Sequence, residues 1–265
     1  MAGDGSETLS GEGDVPSRSL DLSRVLVQLD DTDGAVRREA VELIESVVDD
    51  APAACVPTVP KLRRLLDCES TSCHESVTYC LAELASESPD DVVPSVEALV
   101  SFARSNTPHP GTTNALRALA HVAEEQPEAV FEYVEPIVDV VEADDGIDRW
   151  AIRLFEALSK RHARTLEPAL PILTAGLEHE RSQTRATAAR TIATIARETG
   201  KTPDLVREAL IDRLEDEYVR VRSNAAIALG YGGVATAESN LARMATADPN
   251  PVARTRAAWA LFQLP

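Results

Sequence analysis

The stretch DEYVRVRSNAAIALG, Asp216–Gly230, decides how this chain reads. Asp216 sits in a turn, and Val221 and Arg222 open a helix. Ala225, Ala228 and Leu229 recur at the three- and four-residue spacing that puts side chains on one helical face. The same grammar returns in DTDGAVRREAVELI (31–44), HERSQTRATAARTI (179–192) and DPNPVARTRAAWAL (248–261). In the first of these, Ala40, Leu43, Ile44 and Val47 form the stripe expected to be buried. Aligning each unit on the place of Val36 gives Cys73, Thr112, Trp150, Thr184, Val221 and Ala253, in steps of 32 to 39 residues. A drifting period of that size is the signature of helix pairs stacked one on the next. Seven such units fill Ser19–Pro265, and no stretch reads as a strand.

Punctuation supports the repeat. Pro60, Pro136 and Pro171 lie 13 or 14 residues before their anchors. A proline recurring inside the first helix of a pair is expected to kink it at the same place each time. Gly200 ends one helix, and Thr202-Pro203 reads as the cap and first turn of the next. Ser105–Gly111, SNTPHPG, is a longer turn inside unit three. Gly230-Tyr231-Gly232-Gly233 follows a helix and lacks the lysine and strand of a phosphate loop, so it reads as a helix stop. Residues 1–18 are rich in Gly, Ser and acid without periodicity, which predicts a disordered acidic tail ahead of a solenoid over 19–265.

These units resemble HEAT repeats, including the short HEAT-like repeats first noted in phycobilisome lyases. The resemblance implies an all-α fold, a right-handed superhelix of about seven hairpins of the HEAT or armadillo kind. It also implies a ladder between units, made by an inter-helix Asp and an Arg six residues later. Asp31/Arg37, Asp216/Arg222 and Asp248/Arg254 match that pattern. His179/Arg185 keeps only the Arg, and units two to four keep neither half cleanly. The pattern specifies architecture and is nearly silent on activity.

Net charge is −18, with three lysines (Lys61, Lys160, Lys201) against 23 arginines. An acid excess with so little Lys resembles the proteomes of halophilic archaea, where hydrated carboxylates keep proteins in solution. No run approaches the ~18 apolar residues of a membrane span. The beginning lacks the basic-then-apolar order of a signal peptide. The expectation is a soluble cytoplasmic protein.

Little in the chain points to chemistry. Cys55, Cys68, Cys73 and Cys80 cluster in unit two with His74 beside them, but C-x2-C spacing is missing. Cys73 and Cys80 fall where Val36 and Leu43 fall in unit one, so they read as small buried hydrophobes. HESVTYCL (74–81) looks like one His-Glu pair of the HEAT-like deoxyhypusine hydroxylases, which bind a di-iron centre. The in-register partners Arg37, Thr113, Ala151, Arg185, Arg222 and Arg254 cannot complete such a centre, and His179-Glu180 is out of register. His109, His121 and His162 stand alone, and no two carboxylates are paired for acid–base work. No catalytic, metal or cofactor residue is assigned.

Charge distribution is the informative feature. Second helices are acidic in units one to three and basic in units four to seven. In HEAT-like solenoids these helices line the concave face. Arg185, Arg222 and Arg254 are expected in the ladder. That leaves Arg149, Arg153, Arg181, Arg220 and Arg256 as candidates for gripping a partner, a task suited to the planar guanidinium fork. The expected function is a non-catalytic scaffold whose concave face holds an acidic or extended segment of a partner protein. The alternatives are a subunit or regulator of a lyase-like or metal-dependent enzyme, and a nucleic-acid-binding module using the basic half. Against nucleic acid stand the net charge and the lack of aromatics beside the arginines. The apolar ending WALFQLP (259–265) is expected to bury on unit six, the alternative being a sticky end that self-associates or docks a partner.

Overall fold

A computed structural model describes residues 20–68, 73–143 and 148–265. The expected tail over 1–18 and the expected start at Ser19 lie outside the described residues. So does Glu69, counted among the acids of unit two.

Among the described residues fourteen helices of seven residues or more pair into seven hairpins, two four-residue helices at Pro52–Cys55 and Pro89–Val92 precede the first helices of units two and three, and no strand occurs. The first helices are α1 (Leu22–Gln28), α3 (Val59–Leu66), α5 (Val96–Ser105), α7 (Val134–Glu142), α9 (Leu170–Gly176), α11 (Asp204–Asp212) and α13 (Glu238–Ala247). Each is followed by its second helix. These are α2 (Gly34–Val48), α4 (His74–Glu87), α6 (Pro110–Glu125), α8 (Arg149–His162), α10 (Ser182–Thr199), α12 (Val219–Tyr231) and α14 (Pro251–Gln263). Second helices pack consecutively along one layer, and first helices from α3 to α11 along the other. The chain is therefore an all-α solenoid. No described helix is long and apolar enough to cross a membrane.

Small residues set the spacing between second helices. Ala118, Ala151, Ala188, Ala189, Ala225, Ala226, Ala228, Ala253, Ala257 and Ala260 are all fully buried between layers. Alanine favours helix and takes little room, so neighbouring helices close on each other. Gly230 is the extreme case. A Cβ there would lie 2.8 Å from the Cα of Ala260 on the next second helix. Short polar caps start several second helices: the carboxylates of Asp33 and Asp148 accept from Ala35 N and Trp150 N at 2.8 and 2.6 Å, and Asn250 accepts from Val252 N at 2.9 Å.

The prolines act differently from expectation. Pro60, Pro136 and Pro171 fall in the first turns of α3, α7 and α9, just after short 3-10 turns at Val56–Thr58, Phe131–Tyr133 and Glu167–Ala169. The first helix is thus interrupted ahead of the proline instead of being kinked at it. A first-turn proline gives up an N–H that has no intrahelical partner anyway. Gly200 does close α10, with φ +67°. Thr202 is not the cap of α11. Pro203 holds that place, and the buried Thr202 hydroxyl donates to Ala228 O at 3.0 Å, pinning the loop to α12.

Candidate functional site

The turn between helices repeats one arrangement. In Arg222, Nη1 donates to Asp216 O and Glu217 O of its own turn, at 2.8 and 3.1 Å. Its other edge faces the next unit, where Nε and Nη2 grip Asp248 at 2.7 and 2.9 Å. Arg185 does the same one unit earlier, holding His179 O and Glu180 O with one nitrogen and Asp216 with two. Each aspartate also accepts a backbone N–H two residues on, from Tyr218 and Asn250. The Asp248 carboxyl is held below the usual range, first by the Arg222 hydrogen bond and against burial. At Asp216 burial pushes upward, but the Arg185 hydrogen bonds, the Tyr218 N–H and nearby guanidinium charge win and lower it.

Asp31, Arg37 and Arg254 stand in the same local geometry without closing a rung. Arg37 Nη1 holds Asp31 O and Thr32 O, at 2.7 and 3.0 Å. Its Nε is buried without a hydrogen-bond partner among the described residues. The position where unit two would supply an aspartate is Cys68, which cannot accept a guanidinium edge as a carboxylate does. Arg254 Nη1 holds Asp248 O at 2.6 Å, and no acceptor meets its outer edge among the described residues.

Where the turn ladder is missing, a second set of contacts links the second helices. Tyr79 of α4 donates to Asp49 at 2.8 Å. Arg117 of α6 pairs with Glu83, Arg153 of α8 with Glu124 at 2.9 Å, and Arg190 of α10 with Glu156. Sequence reading missed these pairs because their offsets within the repeat differ from one to the next.

On this layer, between α6, α8 and α10, opens a hollow of about 590 Å³. Among the described residues, Arg149, Arg153, Lys160, Arg181 and Arg190 line it against Glu124 and Glu156. Trp150, half-buried, lines it among these arginines, so the expectation that no aromatic stands beside them does not hold. The guanidinium carbons of Arg149, Arg153 and Arg117 lie 5.1, 5.2 and 5.8 Å from its ring centroid, in cation–π range. Burial pushes the Glu156 carboxyl upward, opposed by the charges of Arg190 and Lys160. A second hollow of about 430 Å³ adjoins, lined by Arg190, Arg197, Arg256, Tyr231 and Trp259, and Arg190 belongs to both.

Of the five expected partner-gripping arginines, the structure brings Arg149, Arg153 and Arg181 into one hollow and Arg256 into its neighbour. Arg220 lines neither hollow. Arg153 is committed to Glu124, whereas Arg149 meets the Trp150 face and no acid among the described residues. Sequence reading passed over Lys160 and Arg190, and it used Trp150 only as a core anchor. The basic tally of α8 and α10 was the available signal. The cysteines are part of packing: Cys55, Cys73 and Cys80 are buried free thiols, and Cys68 is half-buried. Among the described residues no three His, Cys, Asp or Glu side chains are grouped to hold a metal ion.

A family pattern described as HEAT repeats matches residues 207–264. No curated protein matches the chain. Two crystal structures of engineered proteins from the Northeast Structural Genomics Consortium are similar. One has 21% identity and TM-score 0.42, covering 92% of this chain and 96% of that one. The other has 22% identity and TM-score 0.38, covering 92% and 98%. From within α11 to α14 the chain is HEAT-like, and over its described length it is a helical repeat solenoid.

Proposed function

We propose that this protein is a non-catalytic scaffold that holds an acidic, extended segment of a partner protein along its layer of second helices. One observation carries this reading: five cationic side chains against two acidic ones around an accessible tryptophan, on a chain of net charge −18. A local reversal of sign against such a background favours an acidic ligand at this place over any other. Arg149, Lys160 and Arg181 supply the attraction, Trp150 supplies a flat apolar floor, and Arg256 extends the track into the adjoining hollow. Arginine pairs carboxylates bidentately, which gives register as well as attraction. HEAT repeats commonly serve protein interactions, and the matched segment suits that role. The acid excess further suggests work in concentrated salt, where the Debye length is ~3 Å at ~1 M and binding depends on direct contact.

The test is anisotropy of a panel of fluorescent, extended acidic peptides titrated with wild-type protein and with the combined variant R149E, R181E, K160E. The expected result is saturable binding of at least one peptide and a loss of at least about tenfold in the variant, with its circular dichroism unchanged. Equal affinity in the two proteins overturns the reading. Stronger binding of a single-stranded oligonucleotide, weakening steeply with salt, would favour nucleic acid instead.

A further inference from the structure

We propose that the outward face of α14 docks the α2 end of a second copy of this chain, so that copies associate head to tail. Three observations on the two faces support this.

The first is the ladder. Arg185–Asp216 and Arg222–Asp248 each join one turn to the next. Arg254 has its Nη1 anchored on Asp248 O, as Arg222 has on Asp216 O, and its outer edge meets no acceptor among the described residues. Asp31 accepts from Asp33 N at 2.8 Å, as Asp216 accepts from Tyr218 N, and no ion pair engages it among the described residues. The donor half of a rung and the acceptor half of the same rung are therefore both preformed, at opposite ends of the solenoid.

The second is the exposed stripe. Ser223, Ala226 and Gly230 of α12 are buried, Gly230 directly against Ala260 and Trp259 of α14. Their in-register equivalents Thr255, Ala258 and Phe262 are exposed, with Phe262 86% accessible. On the other end, Leu43 of α2 holds the register of Ala260, the residue that meets Gly230. Leu43 is 38% accessible. Phe262 and Leu43 thus occupy facing positions of one repeat junction. Both are larger than the Gly230 and Ala260 they replace, so the two copies splay at that end while Arg254 and Asp31 close at the other.

The third is charge. α14 carries Arg254 and Arg256 and no acid, and α2 carries Glu39, Glu42 and Glu45 against Arg37 and Arg38, so the two end helices differ in the sign of their net charge. Because the two patches differ, the contact does not close on itself as a twofold dimer would, and it propagates into a row of copies or a ring.

The test is weight-average mass by light scattering across a concentration series reaching about 1 mM chains. It is run at ~1 M salt, where screening removes long-range repulsion between copies. Wild-type mass is expected to rise with concentration. R254D and D31R are each expected to remain at one chain mass, with wild-type circular dichroism. Mixed in equal amounts they should associate in alternating order, since the unaltered halves of the rung meet at one junction and the two exchanged halves meet at the next. The double variant R254D, D31R should associate again. If D31R or R254D loses its helical signal, D31N and R254Q replace them. Wild-type protein at one chain mass throughout, single variants that associate like wild type, or a mixture that does not associate, each overturns the proposal.

Discussion

Arg222 and Asp248 form a bidentate ion pair across a repeat boundary, with both side chains nearly inaccessible to solvent, at 11% and 4%. The guanidinium is shared: one nitrogen closes the turn of its own unit, and two hold the turn of the next. Removing either partner leaves a desolvated charge and opens two turns together. Arg222→Gln or Asp248→Asn should therefore cost about 3 kcal/mol, the range for breaking a buried pair. Chemical denaturation read by circular dichroism checks this. A loss below about 1 kcal/mol would show that the rung is marginal.

The pH dependence follows from the same rungs. Asp216 and Asp248 have folded-state values lowered below the ordinary carboxylate range. A lowered folded value means that the stabilisation is fully present above the unfolded value, about pH 3.9, and is lost as pH falls through the folded value. Wild-type stability should accordingly fall below about pH 4. In the double variant D216N, D248N that part of the fall should be absent. Parallel curves for the two proteins between pH 2 and 4 would refute the assignment.

Gly230 tests the close approach of α12 and α14. Its absent Cβ would stand 2.8 Å from a backbone atom, Ala260 Cα, which cannot move aside like a flexible side chain. Gly230→Ala should cost about 1–3 kcal/mol, although alanine is the better helix former. The melting temperature of the purified variant reads this directly. A gain in stability would mean that the two helices have slack.

The four thiols should react at different rates. Burial pushes Cys55, Cys73 and Cys80 upward, Cys80 most of all. Only thiolate attacks a disulfide reagent, so these three should label slowly in native protein and Cys68 first. Labelling followed by peptide mass spectrometry identifies the order. Simultaneous labelling of all four without denaturant would contradict the packing around α4.

The repeat was legible in the sequence because it rests on local rules. Helical spacing, turn aspartates and the Arg six residues later all act within about one turn of chain, and each recurs at its own offset. The arginines of α8 and α10 were legible as an excess of charge, not as a site. The proline reading failed because it turned on where a hydrogen-bond ladder is interrupted. A first-turn proline and a mid-helix proline look alike in a string of letters.

What the sequence determined by itself is the stack of helix pairs and the four residues that close the turn ladder, Arg185, Asp216, Arg222 and Asp248, since these follow from periodicity and short-range spacing, whereas Asp31, Arg37 and Arg254 fit the spacing and close no rung. What only the tertiary structure decided is which charges meet. It drew Arg153 to Glu124 and Arg190 to Glu156, left Arg149, Lys160 and Arg181 lining one hollow with Trp150, and kept Arg220 out of both hollows. These outcomes depend on the rotation of one helix past its neighbour. A period that drifts between 32 and 39 residues does not record that rotation.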